Sequence, residues 1–299
     1  MGKAGAVIRV GVAGWDYDDW WGPVYPRPAP RRFDPLPYLA GFFQAIEVNS
    51  TFYRPLPARV ARSWARRVGH LPDFRFTAKL WKRFTHERRA AFGAEEVRRA
   101  REALDALQEE GRLGAVLVQF PWSFKREEAS REWLRDVAAA FRGLPLVLEV
   151  RHASWNVPEL YASLAEQGIG FVNVDQPIFR GSLRPSAVAT ASVGYVRIHG
   201  RNYQDWFRAD AGRDERYDYL YAAGELAPWA ERARAVAAAP GVSDVYVVTN
   251  NHYGGQEVAN AAMLRSMIEE RKVPVPPPLW RRFGEVLAPF AEPVEPTAS

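Results

Sequence analysis

The chain contains no cysteine. That excludes disulfides, a thiolate nucleophile and any iron–sulfur or zinc-thiolate centre built by this chain alone. No run of about 18 apolar residues occurs, so no transmembrane helix and no membrane partner are expected. No secretory hydrophobic stretch follows Met1. Gly2-Lys3-Ala4-Gly5-Ala6 leads straight into the strand-like Val7-Ile8-Arg9-Val10, and Ala6 stands where a myristoylation motif wants a hydroxyl. These absences read as a cytoplasmic protein. The G-x-S-x-G elbow, the P-loop and the H-E-x-x-H zinc signature are also missing, which removes support for those hydrolase classes.

What is present is ordinary globular material: 299 residues, 47% hydrophobic and 25% charged, with a net charge of +5. Basicity of this kind fits nucleic acid or phosphorylated ligands, but arginine far outnumbers lysine, as coding bias alone produces. Eight short runs rich in β-branched and aromatic residues read as strands: Val7–Ala13, Ala45–Asn49, Phe74–Lys79, Ala115–Gln119, Leu146–Arg151, Phe171–Asp175, Tyr195–His199 and Val245–Asn250. Between them apolar residues recur at helical spacing. Val60, Trp64 and Val68 share one face, as do Val97, Ala100, Leu104 and Leu107, and Trp133, Val137 and Phe141. Strand then helix, eight times in a chain of this length, predicts a single (β/α)8 TIM barrel over residues 1–272.

Two connections lack a clear helix. The one after the first strand is long and rich in Pro and Trp, and is expected to lie over the barrel mouth. The one after the sixth strand, Gln176 to Gly194, is expected to be irregular. Residues 273–299 read as a Pro-rich tail with a mobile end.

Alternation within the strands carries the functional reading. Glu47 and Asn49 alternate with Ile46 and Val48; Thr77 and Lys79 with Phe76 and Ala78; Glu149 and Arg151 with Leu148 and Val150; Asn173 and Asp175 with Val172 and Val174; Arg197 and His199 with Val196 and Ile198. Helices cover the outside of such a barrel, so the apolar faces are expected outward and the polar ones in the lumen. The polar residues sit late in each strand, at the end where barrel enzymes place their active sites. Glu47, Lys79, Gln119, Glu149, Arg151, Asp175, Arg197, His199 and Asn250 are therefore expected to converge.

A mutually neutralising structural network is the plain alternative. Against it, desolvating each ion costs several kcal/mol, and an apolar replacement is often neutral or stabilising. Six charges on five strands ask for a ligand.

The rim adds His152 and His252, each just past a strand end, and many aromatics. Trp15, Tyr17, Trp20, Trp21 and Tyr25 lie in the first loop, with Phe52, Tyr53, Trp81, Trp122, Trp155, Tyr203, Trp206 and Tyr253 in others, suited to stacking a sugar or base. Arg54, Lys82 and Arg83 follow the second and third strands. Asn250-Asn251-His252-Tyr253-Gly254-Gly255-Gln256 opens a helix whose N-terminus can hold an anion. Glu149, Asp175 and His199, with His152 or His252, offer donors for a divalent metal, without any tight ligand spacing.

Several segments resemble the YecE-like family, the domain of unknown function numbered 72. They are Gly11-Val-Ala-Gly-Trp-Asp-Tyr-Asp-Asp-Trp20, Glu47-Val-Asn-Ser-Thr-Phe-Tyr-Arg54, Phe74-Arg-Phe-Thr-Ala-Lys79 with Thr85-His86, and Leu117-Val-Gln-Phe-Pro121. The later half adds Glu149-Val-Arg-His-Ala-Ser-Trp155, Tyr195-Val-Arg-Ile-His-Gly200 and Asn250-Asn251-His252. They run in family order from about Val7 to Ile268. Ala153 replaces a frequent proline and Phe120 a usual leucine. The resemblance implies a TIM barrel and no established activity.

The residues themselves lead to an enzyme of hydrolase or acid–base type acting on a small phosphorylated, sugar-like or nucleotide-derived ligand. Glu149 is the candidate base or metal ligand and His199 its proton-transfer partner, with Glu47 and Asp175 as further acids. Lys79, Arg151 and Arg197 would neutralise anionic charge. Asn49, Asn250 and Asn251 would orient polar groups, beside Trp15, Tyr53, Gln119, His152 and His252. The alternatives are a nucleic-acid-binding or nucleic-acid-processing protein and a non-catalytic small-molecule-binding accessory barrel.

Overall fold

A computed structural model describes residues 5–203 and 217–295. Its strands are β1 Val7–Ala13, β2 Ala45–Val48, β3 Arg75–Lys79, β4 Leu113–Gln119, β5 Leu146–Glu149, β6 Gly170–Asp175, β7 Val193–Ile198 and β8 Asp244–Thr249. All pair in parallel with their sequence neighbours, and β8 returns to β1 with Asp244–Thr249 alongside Val7–Val12, closing the barrel. Each starts or ends within two residues of its sequence-predicted run.

Helices pack on the outside through the stripes read from the sequence. In Ala58–Arg67 the buried residues are Ala61, Trp64 and Ala65, and Leu104 and Leu107 are buried from Ala94–Glu109. Glu96 accepts from the Gly93 N–H at 2.9 Å, closing the start of the latter helix. The others in the outer ring are Glu128–Ala140, Pro158–Gln167, Ala223–Ala238 and Gln256–Glu269.

The lumen is filled in layers, as small barrels require. Low in it, Arg9 pairs with Asp244, and Tyr246 crosses to β4, where only a glycine fits: a Cβ on Gly114 would lie 2.3 Å from the tyrosine hydroxyl. Above that, Tyr195 shares hydrogen bonds with Thr77 at 3.0 Å and Glu47 at 2.8 Å. The charged layer lies on top.

Both irregular connections take the form expected. The first loop carries a short 3-10 turn at Asp18–Trp20 and the helix Pro35–Ala40. Its Trp20 and Tyr25 are fully buried; the Trp20 indole donates to the His252 carbonyl at 2.8 Å and the Tyr25 hydroxyl to the Trp15 carbonyl at 2.6 Å. The connection after β6 has no helix before β7.

That missing helix reverses one expectation. Register pairs Val174 with Arg197, and Asn173 and Asp175 with Val196 and Ile198, so Asn173 and Asp175 belong to the outer face of β6. Polar side chains are tolerated there because a polar strap covers the strand. Asn173 bonds the Ser186 hydroxyl at 2.7 Å, the Val188 amide at 2.8 Å and the Val188 carbonyl at 2.9 Å.

The Pro-rich segment packs onto the barrel rather than trailing from it. Val273–Val275 pairs with Ala291–Pro293 in a separate two-stranded sheet, and Val273, Val275, Leu279 and Leu287 are buried. Its final residues, and Trp206, lie outside the described residues.

Candidate functional site

The strand ends bring Glu47, Lys79, Glu149, Arg151, Arg197, His199 and Asn250 into one cluster. Arg197 grips Glu47 through Nη2 to Oε1 at 2.6 Å and Nε to Oε2 at 3.0 Å. Its Nη1 reaches Glu149 at 3.3 Å and its Nη2 the Asn250 side-chain Oδ1 at 2.9 Å. Arg151 holds the other Glu149 oxygen at 2.9 Å. Glu47, Glu149 and His199 are wholly buried and Arg197 is 1% exposed, which is sustainable because each charge has an opposite partner.

His199 is held at both ring nitrogens. Asn250 accepts from Arg197 through its side-chain oxygen, which turns its amide nitrogen toward His199 Nδ1 at 3.1 Å. His199 Nε2 stands 3.1 Å from Glu149 and 3.2 Å from both Arg151 and Arg197, so it meets one acceptor and two donors. Burial, reinforced by Arg151, pushes the His199 pKa down to about 3. For Glu149, burial alone would raise the pKa; His199, Arg197 and Arg151 outweigh it and hold the carboxyl well below the usual range. The Glu149–His199 pair read from the sequence as base and proton-transfer partner is thus together in space. It is chemically poised as a fixed carboxylate beside a neutral imidazole, and a carboxylate stabilised this far is a weak base.

Lys79 is the group in the opposite condition. It is half-buried, and among the described residues its ammonium has no salt bridge or hydrogen bond, because the arginines already occupy Glu47 and Glu149. Its Nζ lies 3.9 Å from the centre of the Phe52 ring. Burial and then Arg197 lower its pKa to about 7, against the opposing pull of Glu47 and Glu149.

Lys79 faces a cavity of 70 Å³ with Asn49, Phe52, Tyr53, Arg197, Asn250 and His252 in its wall. Asn49 and Tyr53 also line an adjoining groove of 510 Å³ walled by Trp15, Trp64 and Arg67. The aromatic wall is preorganised: Tyr17 stacks on His252 with centroids 4.8 Å apart, and Trp15 meets Trp64 edge-on at 5.5 Å.

Other predicted residues lie elsewhere. Asp175 is held by Arg201 at 2.9 Å and by the Tyr221 hydroxyl, outside the cluster, and burial raises its pKa. Gln119 is inward but donates to the Phe120 carbonyl at 2.7 Å and does not line the cavity. His152 bonds Ser154 at 2.9 Å and meets the edge of Trp122. Asn251 donates to the Tyr219 carbonyl and to Asn260.

The helix after β8 already has an anion at its start: the Asp19 carboxylate accepts from the Gly254 N–H at 2.6 Å. Lys82 pairs with Glu87 at 2.7 Å and Arg83 with Glu96 at 2.6 Å, so these rim charges are answered locally. The metal donors proposed from sequence do not assemble. Among the described residues no three of His, Asp and Glu stand close enough to share an ion.

Sequence reasoning missed four participants. Tyr195 precedes Arg197 by two and was visible as its same-face neighbour. Phe52 was seen as a rim aromatic but not as the ring under Lys79. His86, with its pKa pushed down to about 4 by burial and then Lys79, stands in a family segment but on no alternating strand face, and buried Glu257 lies on a helix with no pattern that marks it.

A closed parallel barrel with a charged, aromatic-walled mouth at its C-terminal strand ends defines the structural class. The protein-family model described as protein of unknown function DUF72 matches residues 9–282, and the chain belongs to that family. It is similar to the UPF0759 protein YunF of Bacillus subtilis strain 168, with 28% identity over 286 residues, 88% of this chain and 95% of that one. Among solved structures, a DUF72 family protein of Thermotoga maritima MSB8 is 33% identical with a TM-score of 0.75, over 88% of this chain and 99% of its own. One from Enterococcus faecalis V583, 24% identical over 88% and 96%, superposes with a TM-score of 0.74.

Proposed function

We propose that this protein is an enzyme of acid–base type acting on a small anionic, sugar-like ligand at the barrel mouth. Lys79 is its proton-transferring group. The observation that carries the reading is the unengaged Lys79 amine, facing a cavity that runs into an aromatic groove. With a pKa of about 7 it is populated in both protonation states near neutral pH, the condition for efficient general acid–base work. In its charged form Lys79 answers an anionic group; among the described residues the Asn49 side chain has no hydrogen bond, and Trp15 and Tyr53 offer stacking faces. Glu47 and Glu149 fix the position of Arg197 and keep the local field constant.

A small ligand suits this mouth better than a polyanion. Among the described residues, several basic side chains around it are answered by local acids, as in Arg67–Asp34, Lys82–Glu87 and Arg83–Glu96, which weakens the attraction for a phosphate backbone.

The test is to incubate the protein in D2O with phosphorylated sugars and hydroxy acids and follow proton–deuterium exchange by NMR. Exchange into one ligand class, lost in Lys79→Met with affinity largely kept, is the expected result. Equal exchange in that variant removes Lys79 from the reaction.

A further inference from the structure

We propose that Lys79 is also a covalent nucleophile, whose uncommitted amine at the cavity wall adds to the carbonyl of a small aldehyde or ketone and forms an imine. This rests on the ligand reading above and goes beyond it, because proton transfer needs no bond to the enzyme. The step is balanced without any oxidant or reductant. The neutral amine forms the C–N bond as the carbonyl π pair moves to oxygen. A proton passes from nitrogen to that oxygen, giving a carbinolamine, and water then leaves as the C=N bond forms.

Three observations converge on this role. The first is geometric: among the described residues, the acids nearest the ammonium are bound by arginine, Glu47 by Arg197 and Glu149 by Arg197 and Arg151, and the amine itself has no ion pair or hydrogen bond. The second is the setting. Phe52 at 3.9 Å screens one side of the amine, while Asn49 and Asn250 line the same cavity and can bond the carbinolamine hydroxyl. The third is residue choice. The chain has five lysines against 35 arginines, yet places a lysine at the strand end inside the mouth. If only a positive charge were required, arginine would serve; a guanidinium does not become a nucleophilic amine at accessible pH. The lowered proton affinity described above agrees with this, since only the neutral amine adds to a carbonyl.

The experiment treats the whole protein with pyruvate, glycolaldehyde or dihydroxyacetone phosphate in the presence of sodium cyanoborohydride, which delivers hydride to any imine and makes it permanent. Peptide mapping by mass spectrometry then locates the adduct. With at least one probe, Lys79 is expected to be labelled on the order of tenfold or more faster than the exposed Lys125 and Lys272, because far more of it is neutral. Labelling of Lys79 no faster than these two, with every probe, overturns the proposal; mapping within the unaltered protein needs no variant to fold. Binding of glycerol 3-phosphate, an anionic probe with no carbonyl, is measured in parallel by calorimetry. Binding without selective labelling discards the imine and leaves the ligand reading standing; neither result discards both.

Discussion

Arg197 and Glu47 face each other across the barrel as a buried bidentate pair, with contacts of 2.6 and 3.0 Å between strands 150 residues apart in sequence. Neither has water to fall back on. Each is held by the other, and Glu47 also accepts from Tyr195.

Breaking that pair from one side should be costly. Glu47→Gln preserves shape but leaves the Arg197 charge under-compensated, and such losses run to about 3–5 kcal/mol. Urea denaturation should show a lower midpoint with an unchanged slope. A loss under about 1 kcal/mol would mean that Glu149 alone suffices as counter-charge.

Stability should fall as the solution is acidified. His199 has a folded pKa of about 3 against a reference of 6.5, so the unfolded chain binds the extra proton through that window and stability declines as pH drops through it. Glu149, with its folded pKa depressed, adds a loss of the same sign below the ordinary carboxylate range. His199→Gln should flatten the slope of unfolding free energy between pH 6.5 and about 4. An unchanged slope would place the acid sensitivity in other groups.

Glu149→Gln should act on Lys79 at a distance. The Glu149 charge raises the Lys79 pKa, so its removal should move the amine's titration midpoint below its present value of about 7. The pH dependence of reductive methylation at Lys79 reads this directly. A midpoint that stays or rises would show that Glu149 does not set the field at the amine.

Glu257 behaves in the opposite way to Glu149. It is fully buried, and among the described residues neither oxygen has a well-formed hydrogen bond, although the nearby Ala13 amide pulls its pKa down. Burial, and then Glu47, raise its pKa well above the carboxyl range. A raised acid binds its proton more tightly when folded, so the Glu257 contribution to stability should be lost as pH rises above about 4.5. Glu257→Gln should remove that slope and leave stability at pH 8 within about 1 kcal/mol of wild type, or above it. A large loss at pH 8 would reveal a partner for the carboxylate.

Much of this mouth is legible in the sequence. Period-two alternation places Glu47, Lys79, Glu149, Arg197 and His199 inward, and strand register puts them there. Asp175 obeys the same alternation and faces outward. The rule that polar faces point inward presumes an apolar helix outside, and after β6 a polar strap stands in its place. The anion site expected before Gln256 was a sound reading of a helix N-terminus, but Asp19, some 235 residues earlier, supplies the anion. Partnerships of that span leave no local trace.

The sequence by itself determined which side chains share a face on each strand, because successive residues on extended backbone point to opposite sides. It did not determine which face turns inward on every strand, since a shift of one residue exchanges the two and barrel closure alone sets the phase. Chemical character was likewise left to the tertiary structure. Glu149 is fixed as an anion, His199 as a neutral imidazole and Lys79 as a titratable amine by desolvation and by charges from strands far apart in the chain. Those forces act over a few ångströms of space, whatever the distance along the sequence.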